Sequence, residues 1–275
     1  MEIFLNIKRE NLKMKNKEIV NHIVDWLKNK LDISNTNGFV IGVSGGIDSA
    51  LASTLASLTK KAVIVLNLPI NQEEGQYSCS NEQIDWLKKR FNNVSSHIID
   101  LTETFNSLKK SLPEKEVNGL ALANTASRLR MTAIYSFANS NNYLVCGTGN
   151  KVEDYGIGFF TKYGDGGVDI SPIADLLKSE IYELAKYLDV PQTIQDAVPT
   201  DGLWDDNRSD EEQIGASYEE LEWALNYCDN LEKGIFIPTL EDRQIDVLNI
   251  YEKRHAANKH KLEAVPVCII PELYK

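Results

Sequence analysis

Ser44-Gly-Gly-Ile-Asp-Ser49 is the stretch of this 275-residue chain whose residue types and spacing are best suited to chemistry. Two adjacent glycines let a backbone pass close to a ligand and adopt positive φ without a Cβ clash. A helix starting just after them would present unpaired N–H groups and the positive end of its dipole, a natural anion site. Ser44 and Ser49 add hydroxyl donors. Asp48 would repel a bare phosphate, so its presence points to a divalent cation that bridges to the phosphates. The plainer alternative is a tight turn with Asp48 as a helix-start residue. The stretch is neither Gly-x-x-x-x-Gly-Lys-Ser/Thr nor Gly-x-Gly-x-x-Gly, and no lysine lies in the turn. A second acid, Glu153, falls beyond a neighbouring strand, and two such acids suit a cation that keeps most of its waters. Lys178 fits as positive charge over a phosphorus where negative charge grows in a transition state. Glu153 as a solvated loop charge and Lys178 as a surface lysine are the competing readings.

These side chains need a scaffold, and hydrophobic periodicity supplies it. Residues 39–43 form a short apolar run that reads as a buried strand ahead of the loop. Ala50, Leu51, Ala52, Leu55 and Leu58 then recur at helical spacing. Further strands are expected at 62–68, 96–101 and 143–147, and helices at 16–31, 80–91, 102–111, 118–139, 178–188 and 243–257. Ser217-Tyr-Glu-Glu220 resembles a capping box opening a helix through Cys228. Strands alternating with helices predict an α/β fold: a doubly wound, mostly parallel sheet flanked by helices. Ligands gather beyond the carboxyl ends of such strands. Residues 147–167, polar and glycine-rich, read as a mobile loop with Gly156, Gly158, Gly164, Gly166 and Gly167 as hinges. A second loop is expected at 199–213. Leu120, Leu122, Ile134 and Phe137 suit either core or dimer contact. No repeat or linker interrupts the chain, so one domain over residues 1–275 is expected.

The run Gly147-Thr-Gly-Asn-Lys-Val-Glu-Asp-Tyr-Gly-Ile-Gly-Phe-Phe-Thr-Lys-Tyr-Gly-Asp-Gly-Gly-Val-Asp169 narrows the reading. With Pro172, Lys178, Pro199-Thr200 and His260-Lys261 it is similar to NAD synthetases, and residues 44–49 resemble the PP-loop of the ATP-pyrophosphatase superfamily. The similarity runs from about residue 18 to 266. No glutamine-hydrolysing domain precedes the loop, so the chain resembles the ammonia-dependent class.

The resemblance implies an adenine nucleotide alpha-hydrolase-like fold and the following assignments. Gly42, Val43, Ser44, Gly45, Gly46, Ile47, Asp48 and Ser49 would hold the ATP phosphates, with Asp48 and Glu153 on Mg2+. Thr148, Lys178 and Thr200 would contact ATP, and Asp48 and Lys178 would be catalytic. Arg128, Lys162, Asp169, His260 and Lys261 would contact the dinucleotide. The implied reaction is amidation of deamido-NAD by ammonia through an acyl-adenylate, giving NAD, AMP and pyrophosphate, in a homodimer. Nicotinate mononucleotide as the acid, or a non-catalytic nucleotide-binding protein, are the alternatives. Arg130 lies two positions from Arg128 on a helix and so points elsewhere, as a surface or packing residue. His260 also reads as a solvated C-terminal residue. One more residue separates Glu153 from Lys162 than in some family members. The segment Ile70-Asn-Gln-Glu-Glu-Gly75 is atypical, leaving Gln72 only a candidate adenine contact.

Bulk composition sets the outer limits. At 43% hydrophobic and 25% charged residues the chain suits an ordinary globular core. A formal charge of −11 argues against nonspecific nucleic-acid binding, which leaves a basic footprint. No apolar run approaches the roughly 18–20 residues that span a bilayer. Residues 1–17 mix Ile3, Phe4 and Leu5 with Lys8, Arg9 and Glu10, too short an apolar piece for a signal peptide, so a cytoplasmic location is expected. Cys79, Cys146, Cys228 and Cys268 lie far apart and read as buried free thiols, not a zinc or disulfide framework. With no Ser-His-Asp spacing or reactive cysteine in view, positioning and electrostatics must carry the chemistry. A tRNA-modifying relative would need a basic surface or catalytic cysteines.

Overall fold

Alternation within two central strands decides the architecture of this computed structural model, which describes residues 16–71, 74–199, 209–235 and 239–275. β1 (Gly38–Gly42) and β2 (Ala62–Asn67) pair in parallel, with Phe39 opposite Val63 and Ile41 opposite Val65. β3 (Val94–Ile98) and β4 (Leu144–Val145) extend the sheet to the order β3-β2-β1-β4, all parallel. Successive strand side chains point to opposite faces. Phe39, Ile41, Val63 and Val65 therefore enter one core with α1 (Asn16–Ser34), α2 (Ile47–Leu58) and α6 (Lys178–Tyr187). Val40, Ile64 and Leu66 enter another with α4 (Thr102–Ser111) and α5 (Gly119–Asn141). The expected doubly wound sheet is what forms.

Local sequence explains the key elements. α1 buries Val20, Ile23, Val24, Leu27 and Leu31, one stripe of an amphipathic helix. α2 is buried from Ser49 to Ser57, so its hydroxyls would be orphaned in an apolar core. Ser53, Thr54 and Ser57 each donate to the carbonyl four residues back at 2.7 Å. α5 opens where Asn118 accepts from the Ala121 N–H at 2.9 Å, and closes at Asn142 with φ 55°.

A third cluster lies outside the two sheet layers. A π-helical turn, Lys151–Ile157, buries Val152 and Ile157 against α9 (Tyr218–Glu232) and α10 (Asp242–Leu262). Leu221, Ala224, Leu225, Val247 and Tyr251 complete that cluster. α3 (Glu74–Arg90), α7 (Gln192–Gln195) and α8 (Asp210–Ile214) fill the remaining connections.

The departures from expectation have physical causes. The strand at 143–147 shrinks to two residues because the chain at 169–170 takes over its hydrogen bonds: Asp169 and Ile170 both donate to the Val145 carbonyl, and Gly147 donates to Ile170. Residues 147–167 form a packed turn, not an open loop. Close packing is what its glycines serve: a Cβ on Gly167 would lie 2.8 Å from the Tyr163 Cα, and Gly158 needs φ 62°. α3 starts at Glu74 and not near residue 80, and α10 runs on to Leu262 and not only to residue 257. On α5, Ile134 is core, Leu122 and Phe137 pack partly against it, and Leu120 is exposed. The N-terminal segment 1–15, Gln72, and Thr200 with the rest of 200–208 lie outside the described residues. Among the described residues no helix is long and apolar enough to cross a membrane.

All four cysteines are free thiols, but only Cys146 is fully buried and Cys268 is exposed, which corrects the expectation that all are buried. Burial pushes the Cys146 thiol up to about 12, leaving little thiolate at mildly alkaline pH. A thiol reagent applied to native protein should therefore label Cys268 promptly and Cys146 only after unfolding. Mass mapping that finds Cys146 labelled early would contradict this packing.

Candidate active site

The loop between β1 and α2 sits at the carboxyl edge of the sheet. Val43 donates its N–H to the Leu66 carbonyl at 2.8 Å, so its amide belongs to the strands and is not offered outward. Gly45 then turns with φ 83°, and a Cβ there would meet the Ser80 nitrogen at 2.7 Å and the Cys79 Cβ at 2.8 Å. Gly46 is the N-cap of α2, and its N–H donates to the Ser44 hydroxyl at 3.2 Å. Ile47 is buried and contributes only backbone to the mouth. Ser49, expected as a hydroxyl donor to a ligand, is buried and turns inward. Its hydroxyl lies 2.9 Å from the Gly46 carbonyl and 3.3 Å from Gln83 Oε1. Its role in this structure is to staple the turn.

Asp48, Glu153 and Lys178 meet at the open end of this loop. Lys178 Nζ donates to Asp48 Oδ2 at 2.6 Å and to Glu153 Oε1 at 3.0 Å. Lys178 opens α6 yet is only 3% exposed, which disposes of the surface-lysine reading. Burial alone would lower its pKa, but Asp48 and Glu153 outweigh that and raise it, so it stays an ammonium. Burial dominates at Asp48 and holds its carboxyl above the usual range despite Lys178. At Glu153 burial acts upward too, but Lys178 and the Tyr218 hydroxyl outweigh it and keep the carboxyl low. Asn150, fully buried, ties the pair together: its Nδ2 donates to Asp48 Oδ1 at 3.2 Å while its Oδ1 accepts the Val152 and Glu153 N–H groups. Thr148 is half-buried in the same connection, just ahead of the turn.

The far end of the π-helical turn builds a second region. Lys261 Nζ donates to the Gly158 and Phe160 carbonyls, each at 2.8 Å. Lys162 Nζ donates to the His260 carbonyl at 2.6 Å, and Arg128 Nε donates to the Lys162 carbonyl at 3.1 Å. His260 thus contributes its backbone, and its side chain is exposed, as the solvated reading has it. A cavity of about 800 Å³ opens here, lined by Met131, Tyr135, Phe160, Lys162, Tyr163 and Lys261 among others. Asp169 stands beside it, accepting from the Tyr135 hydroxyl at 3.0 Å and the Val145 N–H at 2.8 Å. Arg130 is half-buried, with its Nε on the Leu68 carbonyl at 2.9 Å, a packing role at the end of β2. The structure therefore sorts the candidates into a loop-and-acid site and a basic cavity joined by one turn.

The NAD synthase family model matches residues 19–265. The NH3-dependent NAD+ synthetase of Syntrophomonas wolfei is 38% identical over 263 residues, covering 92% of this chain and 96% of that one. This chain belongs to the NAD synthase family. The NH3-dependent NAD+ synthetase of Mesoplasma florum is 40% identical over 218 residues, 77% of this chain and 85% of the relative. Among solved structures, the NMN synthetase from Francisella tularensis aligns with TM-score 0.76 and 31% identity, covering 94% of this chain and 98% of that one. The NH3-dependent NAD synthetase from Campylobacter jejuni aligns with TM-score 0.76 and 27% identity, covering 93% and 100%.

In this NAD synthase family member the acid pair fits a magnesium ion. Such a cation takes one or two carboxylates and leaves its other positions to water and phosphate oxygens. Asp48 and Glu153 converge on a single ammonium, and no group of three His, Cys, Asp or Glu side chains among the described residues could cage a metal alone. Burial, then the neighbouring Glu153, Asp165 and Asp48 carboxylates, push Asp154 well above its ordinary value.

Two residues that sequence reasoning passed over belong here. Asn150 lies within the Gly147–Asp169 run, and an Asn just ahead of an acid-bearing turn is a readable N-cap signal. Tyr218 donates its hydroxyl to Glu153 Oε1 and lies 3.3 Å from Asp210 Oδ2, and no local signal marks it. Replacing Lys178 with Met would leave two buried carboxylates facing each other, a change worth about 3–5 kcal/mol. Urea unfolding at neutral pH should show that loss, and a Lys178→Met protein as stable as wild type would mean the ammonium does not hold the acids.

Proposed function

We propose that the chain catalyses the ATP-dependent amidation of deamido-NAD by ammonia, giving NAD, AMP and pyrophosphate. The observation that carries this reading is the glycine-lined turn at the mouth of α2 opening onto Asp48, Lys178 and Glu153. In this reading the N–H groups from Ile47 onward and the positive end of the α2 dipole receive the phosphates. The pyridine carboxylate attacks the α-phosphorus, and the bond to the β-phosphate oxygen breaks. Ammonia then attacks the carbonyl carbon of the acyl-adenylate; AMP leaves and the nitrogen sheds one proton. A carboxylate is a poor acceptor because its leaving group would be oxide, which explains the use of adenylation.

Asp48 and Glu153 would hold magnesium, whose charge offsets that of the departing pyrophosphate. Lys178 supplies positive charge beside the α-phosphorus. Lys162 and Lys261 line the cavity as partners for the anionic dinucleotide, Arg128 braces Lys162 through its carbonyl, and Tyr135, bonded to Asp169, adds a polar group to the lining. The whole chain acts as one catalytic domain, and two copies pair as a homodimer. Tyr163 and Leu120, both exposed, are apolar groups that such pairing would cover.

Incubation with ATP, magnesium, ammonium and deamido-NAD should yield NAD and AMP in equal amounts. ADP and inorganic phosphate as the products would refute attack at the α-phosphorus. Asp48→Ala should lower kcat on the order of 10²-fold or more. The resemblance to an NMN synthetase makes nicotinate mononucleotide the informative competitor, and the dinucleotide acid is expected to show the higher kcat/KM.

A further inference from the structure

Tyr218 is the first residue of α9 and only 8% exposed, yet its side chain ends among charges. Its hydroxyl donates to Glu153 Oε1, the same oxygen that accepts from Lys178. Its ring lies under the Lys178 ammonium, 4.6 Å from Nζ to the ring centroid. One side chain therefore touches both partners of the acid site, the carboxylate through its hydroxyl and the ammonium through its π face. Its own placement is heavily determined. Ser217 and Glu220 form a reciprocal capping box around the start of α9, at 2.9 and 3.2 Å. Arg243 on α10 grips both Glu220 oxygens at 2.7 and 2.6 Å, and Glu211 accepts the Tyr218 N–H at 2.8 Å. This bracing fixes the start of α9, from which the phenol reaches Glu153, with Asp210 Oδ2 the next acceptor at 3.3 Å.

We propose that Tyr218 is a positioning residue that holds Glu153 and Lys178 in register with Asp48, so that the two acids are presented to a divalent cation. The proposal rests on the magnesium reading above. Metal-ligating carboxylates are themselves hydrogen-bonded, and loss of such an outer partner typically costs about 10–100-fold in metal affinity or activity. A buried phenol needs some hydrogen-bond partner, and here the partner is the carboxylate that also holds Lys178. The ring adds a second function, since it stabilises the ammonium on its face without competing for carboxylate oxygens. The capping box, legible in the sequence as a helix start, is thus the device that aims this residue.

The test uses full-length protein, Mn2+ as the probe, and an ATP analogue with a methylene bridge between the α- and β-phosphorus atoms. Free Mn2+ is read by electron paramagnetic resonance. Tyr218→Phe keeps the ring and removes only the hydroxyl. It should weaken Mn2+ binding roughly 10–100-fold, lower kcat, and leave the KM for ammonia and the unfolding midpoint near wild type. Tyr218→Phe with wild-type Mn2+ affinity but lowered stability would make the residue purely structural and overturn the proposal. A second comparison guards against a folding defect. In a Glu153→Gln background, adding Tyr218→Phe should change Mn2+ affinity less than about twofold, because the route through Glu153 is already cut. Independent, multiplying effects would also overturn it. Wild-type protein that binds no Mn2+ beside the nucleotide analogue would fail differently, bringing down the metal reading itself and this proposal with it.

Discussion

One ammonium between two carboxylates ties this molecule together. Asp48 comes from the first turn of α2, Glu153 from the π-helical turn and Lys178 from the start of α6. Charges withdrawn from water are costly unless paired, so the three segments stabilise one another's placement. The arrangement is reinforced from behind. Glu222 on α9 accepts the Ser179 N–H at 2.8 Å and its hydroxyl at 2.9 Å, pinning the end of α6 that carries Lys178. The same helix delivers Tyr218 beneath the ammonium. A local site has become a constraint on the packing of the C-terminal helices against the sheet.

The π-helical turn is the second shared part. Its near end holds Glu153 through the Asn150 cap, and its far end exposes carbonyls that no helix continues to satisfy. His255, Asn258 and Lys261 from α10 meet the Gly156, Ile157 and Gly158 carbonyls at 2.7, 2.9 and 2.8 Å. These bonds explain why α10 continues five residues beyond its apolar pattern. They also set a condition on binding. Lys162 and Lys261 rest on backbone carbonyls beside the cavity, so an anionic ligand must compete with those contacts.

The sequence by itself determined the alternating strands, the two-faced sheet and the turn at Gly45. Each follows from neighbours a few residues apart: short continuous apolar runs that read as buried strands, apolar residues at helical spacing between them, and a glycine pair where the backbone must turn tightly. It also determined which acids and bases were candidates, since residue type and spacing survive without a fold. Tertiary structure alone decided their partners. Lys178 finds Asp48 across 130 residues and Tyr218 finds Glu153 across 65, separations over which no periodicity carries information. It also decided that Ser49 would face inward and that residues 147–167 would pack as a turn, because both depend on what surrounds them: Gln83 beside Ser49, and α9 and α10 around the turn. Burial is a property of the assembled molecule, and it is burial that turns an ordinary lysine and two acids into a site.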